Sequence, residues 1–270
     1  MRLSEITKTL RDAGIENARG EARMLFEHFT DVKREHLFGI DAESNSPELI
    51  SAVKRRAERE PLQYILGYAD FYRERYTVTP DCLIPRQDTE VLVELATKLI
   101  PEGENMLDLC TGSGCIAIST AKNTKGTTAV AVDISEKTLS LAKKNAEANG
   151  VADRIEFLRL DVTERAIDGK FYAILSNPPY VTPEAYEGLE KEIFHEPKIA
   201  FVGGEDGLYF YRRLTELYKN SLKDGGFIAY EIGYDQSEGI TEIAKQNGMT
   251  SKIINDLGGN PRVAILKPIK

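Results

Sequence analysis

From about Pro80 to the carboxyl terminus, short apolar runs alternate with segments of helical spacing, and this pattern constrains the fold more than any other feature of the chain. Residues 106–110, 128–133, 155–161, 171–176 and 227–232 read as strands; residues 135–149, closed by Gly150, read as one of the helices between them. Such alternation predicts an α/β fold, a parallel sheet with helices on both faces joined by right-handed crossovers. Two further strands, 251–255 and 262–266, lie beyond the last predicted helix and are joined by a turn, Gly258-Gly259-Asn260-Pro261.

The first part of the chain is different. Apolar residues recur at helical spacing, as in Ile6 and Leu10 and in Ala22, Leu25, Phe26 and Phe29, so residues 1–67 read as a small all-α domain. Ser46 is placed to cap a helix with Pro47 at its first position. Around Arg73-Glu74-Arg75 the pattern turns aromatic and β-branched, which predicts a β-hairpin; residues 68–82 are taken as a linker and 83–270 as the α/β domain. A length of 270 residues suits one large and one small domain.

Composition narrows the function classes. With 41% hydrophobic and 29% charged residues the chain is ordinary for a soluble protein. It lacks an apolar stretch near the roughly 20 residues that span a bilayer, and its first ten residues lack a signal-peptide core, so a cytoplasmic location is expected with no membrane partner. A net charge of -8 opposes a dedicated nucleic-acid binder. The basic cluster Lys54, Arg55, Arg56 and Arg59 is expected to be a solvated helix face. Cys82, Cys110 and Cys115 read as reduced core thiols, and neither they nor His28, His36 and His195 have metal-site spacing, so no metal is expected. Ser113 lies outside any nucleophile-elbow pattern.

Asp108-Leu109-Cys110-Thr111-Gly112-Ser113-Gly114 ends the first strand of the sheet and opens a helix. Glycines let the backbone approach a ligand, and the helix terminus presents unpaired N–H groups. Asp133 closes the next strand, where a carboxylate can accept both ribose hydroxyls of a nucleoside. An adenosine-type ligand follows, but which one stays open: the segment from Gly112 to Ala117 also fits the dinucleotide pattern, with Asp133 at the expected distance. A nicotinamide dehydrogenase is therefore a rival, and a glycine turn that binds nothing is a third reading.

Asn177-Pro178-Pro179-Tyr180 follows the strand at 171–176, at the sheet edge where ligands of open α/β sheets bind. Two prolines donate no hydrogen bonds and fix φ, so nearby carbonyls stay free with set directions. A planar amide or amino nitrogen could donate to the Asn177 side-chain oxygen and the Pro178 carbonyl, with Tyr180 against its flat face. That suits a weak nitrogen nucleophile attacking an electrophilic sulfonium methyl group, where orientation and charge stabilisation matter more than a base. Taken alone, the tetrapeptide reads rather as a proline-rich turn that ends a strand; the functional reading gains from the glycine loop and Asp133 beside it.

With these residues together, the chain resembles the bacterial release-factor glutamine N5-methyltransferases, the HemK family. Leu83-Ile84-Pro85-Arg86-Gln87-Asp88-Thr89-Glu90, Glu196-Pro197 and Gly203-Gly204-Glu205-Asp206-Gly207-Leu208 match family segments, and with Gly258 to Arg262 the resemblance runs from about Glu60 to the end. It implies a Rossmann-like S-adenosylmethionine methyltransferase domain behind the helical one, yielding S-adenosylhomocysteine. By the resemblance Cys110, Thr111, Gly112, Ser113 and Gly114 wrap the methionine end of the cofactor, Asp133 holds the ribose, Asp161 and Val162 border adenine, and Asn177, Pro178, Pro179 and Tyr180 hold the acceptor glutamine. Asn177, Pro178 and Tyr180 are the catalytic expectation, with Asn177 also beside the cofactor. Class 1 peptide chain release factors are the implied partners, through the glutamine of Gly-Gly-Gln. Cys110 stands where the family usually has glycine, and Gln87 where it usually has proline. Alternatives are a glutamine methyltransferase of a ribosomal protein, an adenine N6-methyltransferase of DNA or RNA, and a cofactor-binding module without catalysis. The helical domain, whose charges nearly cancel, is expected to recognise the protein partner.

Overall fold

A computed structural model describes residues 1–37 and 39–269. In chain order its main elements are α1 (Leu3–Asp12), α2 (Ala18–His28), α3 (Pro47–Ala57), α4 (Leu62–Leu66), β1 (Tyr68–Phe71), β2 (Glu74–Thr77), α5 (Glu90–Leu99), β3 (Asn105–Leu109), α6 (Cys115–Asn123), β4 (Thr128–Asp133), α7 (Glu136–Ala148) and β5 (Ile155–Arg159). There follow β6 (Phe171–Ser176), α8 (Pro183–Glu187), α9 (Tyr209–Tyr218), β7 (Leu222–Glu231), α10 (Ser237–Gln246), β8 (Met249–Asn255) and β9 (Pro261–Pro268). The chain divides into two compact units: Met1–Tyr68 with Glu190–His195, and Ala69–Leu189 with Glu196–Lys270.

The first unit packs α1 to α4 around Ile6, Leu10, Leu25, Phe26, Leu49 and Val53, all buried; burying each such side chain stabilises the unit by about 1.5–3 kcal/mol. Ser46 caps α3 as expected, its hydroxyl accepting from Leu49 N at 3.1 Å, and Pro47 occupies the first turn, where its missing N–H costs nothing. The basic cluster corrects the expectation from sequence. Only Lys54 is well exposed, whereas the Arg56 guanidinium is buried and bonded to Glu21 at 2.6 Å and Glu192 at 2.9 Å. Arg59 also reaches Glu192, at 2.7 Å, and Arg55 pairs with Glu60 at 2.5 Å. The charges are used in cross-linking, because carboxylates far away in sequence come back to meet them. The segment Glu190–His195, 130 residues and more beyond α3, is thereby part of this unit.

The second unit is built on a seven-stranded sheet of order β5-β4-β3-β6-β7-β9-β8. β5, β4, β3, β6 and β7 are parallel; β9 runs antiparallel to β7 and β8 antiparallel to β9. The central parallel strands β3 and β6 are buried on both faces. In β6, Ala173 and Leu175 join one core layer with Leu92 and Ile116, while Ile174 joins the other with Leu214 and Ile240. This two-sided burial is why the strands read as continuous apolar runs. The hairpin of β1 and β2 places Phe71 and Tyr76 in the first of these layers, with the Tyr76 hydroxyl 2.6 Å from Ser119 Oγ and Thr77 N donating to Asn145 Oδ1 at 2.8 Å. Residues 69–77 of the segment set apart from sequence as a linker thus pack as an integral layer of this unit.

Candidate active site

The carboxyl ends of β3, β4 and β6 converge on a cavity of about 560 Å³, within the range of small-molecule sites. Its walls bring together Cys110, Thr111, Gly112 and Ser113 after β3, Asp133 at the end of β4, Asp161 and Val162 after β5, and Asn177 and Pro179 after β6. Of the residues singled out from sequence, Gly114, Pro178 and Tyr180 do not line it. Gly114 serves packing instead: at φ +83° it leads into α6, and an added Cβ would lie 2.9 Å from Ile118 Cδ1 and 3.2 Å from Ala142.

The turn after β3 is held by carboxylates. Asp133 Oδ2 accepts from Gly112 N and Oδ1 from Ser135 N, both at 3.0 Å. Burial raises the Asp133 pKa, and those N–H groups oppose the rise. Each Asp133 oxygen keeps a second lone pair for a ligand hydroxyl. Asp108, wholly buried, accepts from Thr111 Oγ1 at 2.5 Å and Ala117 N at 3.2 Å, while its Oδ1 has no partner among the described residues. Burial pushes this carboxyl up to about 7, against the two donors. Gly112 has φ +56°, a left-handed conformation that favours glycine, while a Cβ placed on it would meet open space. Cys110 has φ +59°, a left-handed conformation that costs a residue with a Cβ about 1 kcal/mol or more.

These bonds bear on the ligand. A dinucleotide rests its pyrophosphate on the free amides at a glycine turn and helix start. Here the Gly112 and Ala117 amides already face carboxylates. Those two amides are therefore not available to a pyrophosphate, whereas Asp133 can receive ligand hydroxyls.

The turn after β6 is positioned from elsewhere in the unit. Ser176 Oγ donates to Leu109 O at 2.5 Å, tying it to β3. Asn177 Nδ2 donates to Thr89 Oγ1 at 3.2 Å. Gly203 and Gly207 press on the following residues: a Cβ at Gly203 would fall 2.3 Å from Pro179 O, and one at Gly207 2.3 Å from Tyr180 O. Gln236 Nε2 donates to Tyr180 O at 3.1 Å, and Val181 N to Phe201 O at 2.8 Å. Among the described residues, none donates to Asn177 Oδ1 or the Pro178 carbonyl, which leaves both as acceptors.

Several residues of the site were given no role from sequence. Arg86 pairs with the buried Glu196, whose other oxygen accepts from Ile84 N at 2.9 Å, closing one wall. Burial raises the Glu196 pKa and Arg86 opposes it. Thr89, Arg86 and Glu196 all lie in the segments that carried the family resemblance, which was the available signal. Arg262, in the Gly258 to Arg262 segment, bridges Asp88 and Asp256, each at 3.2 Å.

An open α/β sheet with a carboxylate-bound glycine turn, and a second turn with two acceptors to which no described residue donates, is compatible with a methyltransferase-type site, and comparison with known proteins gives that class. Residues 87–205 match the family model described as methyltransferase small domain, and residues 3–67 the one described as PrmC N-terminal domain. The release factor glutamine methyltransferase of Geobacter sulfurreducens is 38% identical over 88% of this chain and 85% of its own. That of Moorella thermoacetica is 36% identical over 96% and 95%. A solved hMettl16 catalytic domain, bound to an RNA hairpin, shares the fold alone, at 15% identity and a TM-score of 0.59 over 83% of this chain and 81% of that one. The chain belongs to the family of release factor glutamine methyltransferases.

Proposed function

We propose that this protein transfers the methyl group of S-adenosylmethionine to the side-chain amide nitrogen, N5, of the glutamine in the Gly-Gly-Gln motif of class 1 peptide chain release factors, in the cytoplasm and without a nucleic-acid partner. The observation that carries it is the pair of acceptors, Asn177 Oδ1 and the Pro178 carbonyl, to which no described residue donates, in a turn whose Asn177 and Pro179 line the same cavity as Asp133 and Asp161.

Cys110 to Ser113 would hold the methionine end of the cofactor, Asp133 the ribose hydroxyls, and Asp161 and Val162 the adenine edge. S-adenosylmethionine, when bound, supplies a sulfonium methyl whose carbon–sulfur bond breaks toward a neutral thioether, S-adenosylhomocysteine. The chain's own residues do the rest. Asn177 Oδ1 and Pro178 O each take one N–H of the glutamine amide, turning its nitrogen toward the methyl group and stabilising the positive charge that grows there. Tyr180 backs the flat amide, and Pro179 keeps the turn from donating bonds of its own. As the carbon–nitrogen bond forms, one N–H proton leaves to solvent; no base is needed once the nitrogen is cationic.

A glutamine side chain offers little surface, so remote contacts must choose it, and the helical unit at residues 1–67 is assigned that work. Incubation with methyl-labelled S-adenosylmethionine and an intact release factor, with mass localisation of the label, tests the function: label on the Gly-Gly-Gln glutamine is expected, and label on a ribosomal-protein glutamine or a nucleic-acid adenine alone would replace it. Arg56→Ala, which leaves Glu21 and Glu192 unpaired, should destabilise the helical unit by about 3–5 kcal/mol. It should raise KM for the intact factor and leave turnover of a short Gly-Gly-Gln peptide unchanged.

A further inference from the structure

Thr89 stands at the N-cap of α5, where a threonine hydroxyl ordinarily accepts a backbone N–H of the first turn, yet its side chain caps nothing. It is wholly buried and its oxygen accepts from Asn177 Nδ2 at 3.2 Å. At the end of β7, Glu231 is equally buried, the Thr89 and Tyr180 hydroxyls face its carboxyl, and its Oε2 has no partner among the described residues. A hydroxyl has one proton to donate and two lone pairs. If that proton goes to Glu231, only lone pairs remain toward Asn177.

We propose that Glu231 and Thr89 are positioning residues for methyl transfer, which set the direction of the Asn177 carboxamide. The carboxylate takes the Thr89 proton, Thr89 accepts from Nδ2, and Oδ1 is left pointing to the acceptor amide. In the opposite orientation Nδ2 would meet the incoming N–H group, donor against donor. This rests on the assignment of Asn177 to the acceptor amide and goes beyond it by naming what orients that side chain.

The proposed relay from Glu231 through Thr89 to Asn177, of which the Asn177–Thr89 bond is the link formed in the structure, has a direction that protonation would reverse. Burial pushes the Glu231 carboxyl up to about 7 against Thr89, Arg262 and Tyr180, with Asp88 adding to the rise; Tyr211 and Cys115 also face it. A protonated Glu231 can donate to Thr89 and free the Thr89 proton for Oδ1. Activity from the carboxylate form is thus kept above the pKa and lost as pH falls through it.

The test measures kcat, KM and S-adenosylmethionine affinity in the full-length protein, with an intact release factor as acceptor. Thr89→Val should lower kcat at least about tenfold with cofactor affinity within about threefold, and Thr89→Ser should restore kcat to within about threefold. Wild-type kcat should be about tenfold lower at pH 6 than on its alkaline plateau, and Glu231→Gln, which keeps an acceptor but cannot titrate, should lose that dependence. The proposal is overturned if Thr89→Val turns over like wild type while Asn177→Ala is inactive, if Thr89→Ser is as slow as Thr89→Val, or if Glu231→Gln keeps the acid limb. Full activity of Asn177→Ala would instead remove the acceptor assignment itself, and this proposal with it.

Discussion

The glycine turn after β3 and the proline turn after β6 leave the same edge of the sheet, from paired strands in which Leu109 and Ser176 are partners, yet they are held in opposite ways. The glycine turn is supported from nearby: Asp108, Val132 and Asp133 satisfy its amides and hydroxyl, all within about one βαβ unit. The proline turn, with almost no donors of its own, is held by Thr89, 88 residues upstream, and by Gly203, Gly207 and Gln236 downstream. A turn that must offer free carbonyls cannot use them to support itself, so its rigidity has to come from remote segments. A turn that binds through a cradle and a carboxylate can be built locally.

That contrast is open to experiment. The largest effect is expected at Asn177→Ala, which removes one of two acceptors: kcat should fall by about 10²–10³-fold, the scale seen when a preorganised polar group is deleted from an active site, with cofactor affinity within several-fold. Retention of a tenth of wild-type turnover would break the division of labour between the turns. Asp133→Ala should act on the other side, weakening S-adenosylmethionine binding by about 1.5–3 kcal/mol in calorimetry, the usual scale for hydrogen bonds to a charged group. Comparable binding of NAD by the wild-type protein would contradict the reading that carboxylates occupy the amides a pyrophosphate needs. Gly203→Ala should sharpen the comparison, because a Cβ 2.3 Å from Pro179 O must displace the proline turn without touching the glycine turn. A loss in kcat of about tenfold or more is expected with unchanged cofactor affinity, since small misplacements of a reacting group are costly. The smallest effect is expected at Cys110→Gly: relief of the left-handed strain and the greater freedom of glycine in the unfolded chain largely cancel, leaving a stability change below about 1 kcal/mol in thermal unfolding.

Much of the fold was legible because its signals are local. Strands β4 and β6 begin and end at the predicted residues, and β3, β5 and β7 differ at their ends by a few, where pairing rather than composition decides termination. β7 starts five residues earlier than expected, at Leu222, because Asp224, Gly225 and Gly226 hide an edge that still pairs with β6 through a register shift. The glycine turn and Asp133 were readable as a motif. Thr89 was not, since a threonine before a helix looks like a cap; its actual partner is Asn177. Nor was Arg56, whose neighbours Lys54 and Arg55 make it look like one of a solvated row.

By itself the sequence determined the alternation of strand and helix, the two chemical turns at strand ends and the family to which they belong, because each is written in residues a few positions apart. Only the tertiary structure decided that the Gly112 and Ala117 amides face carboxylates rather than a phosphate, that Arg56 lies between Glu21 and Glu192, and that Glu231 stands behind Thr89 and Asn177. The physical reason is the same in each case. A buried polar group must find a partner wherever the folded chain brings one, and separation along the sequence says nothing of which partner that is.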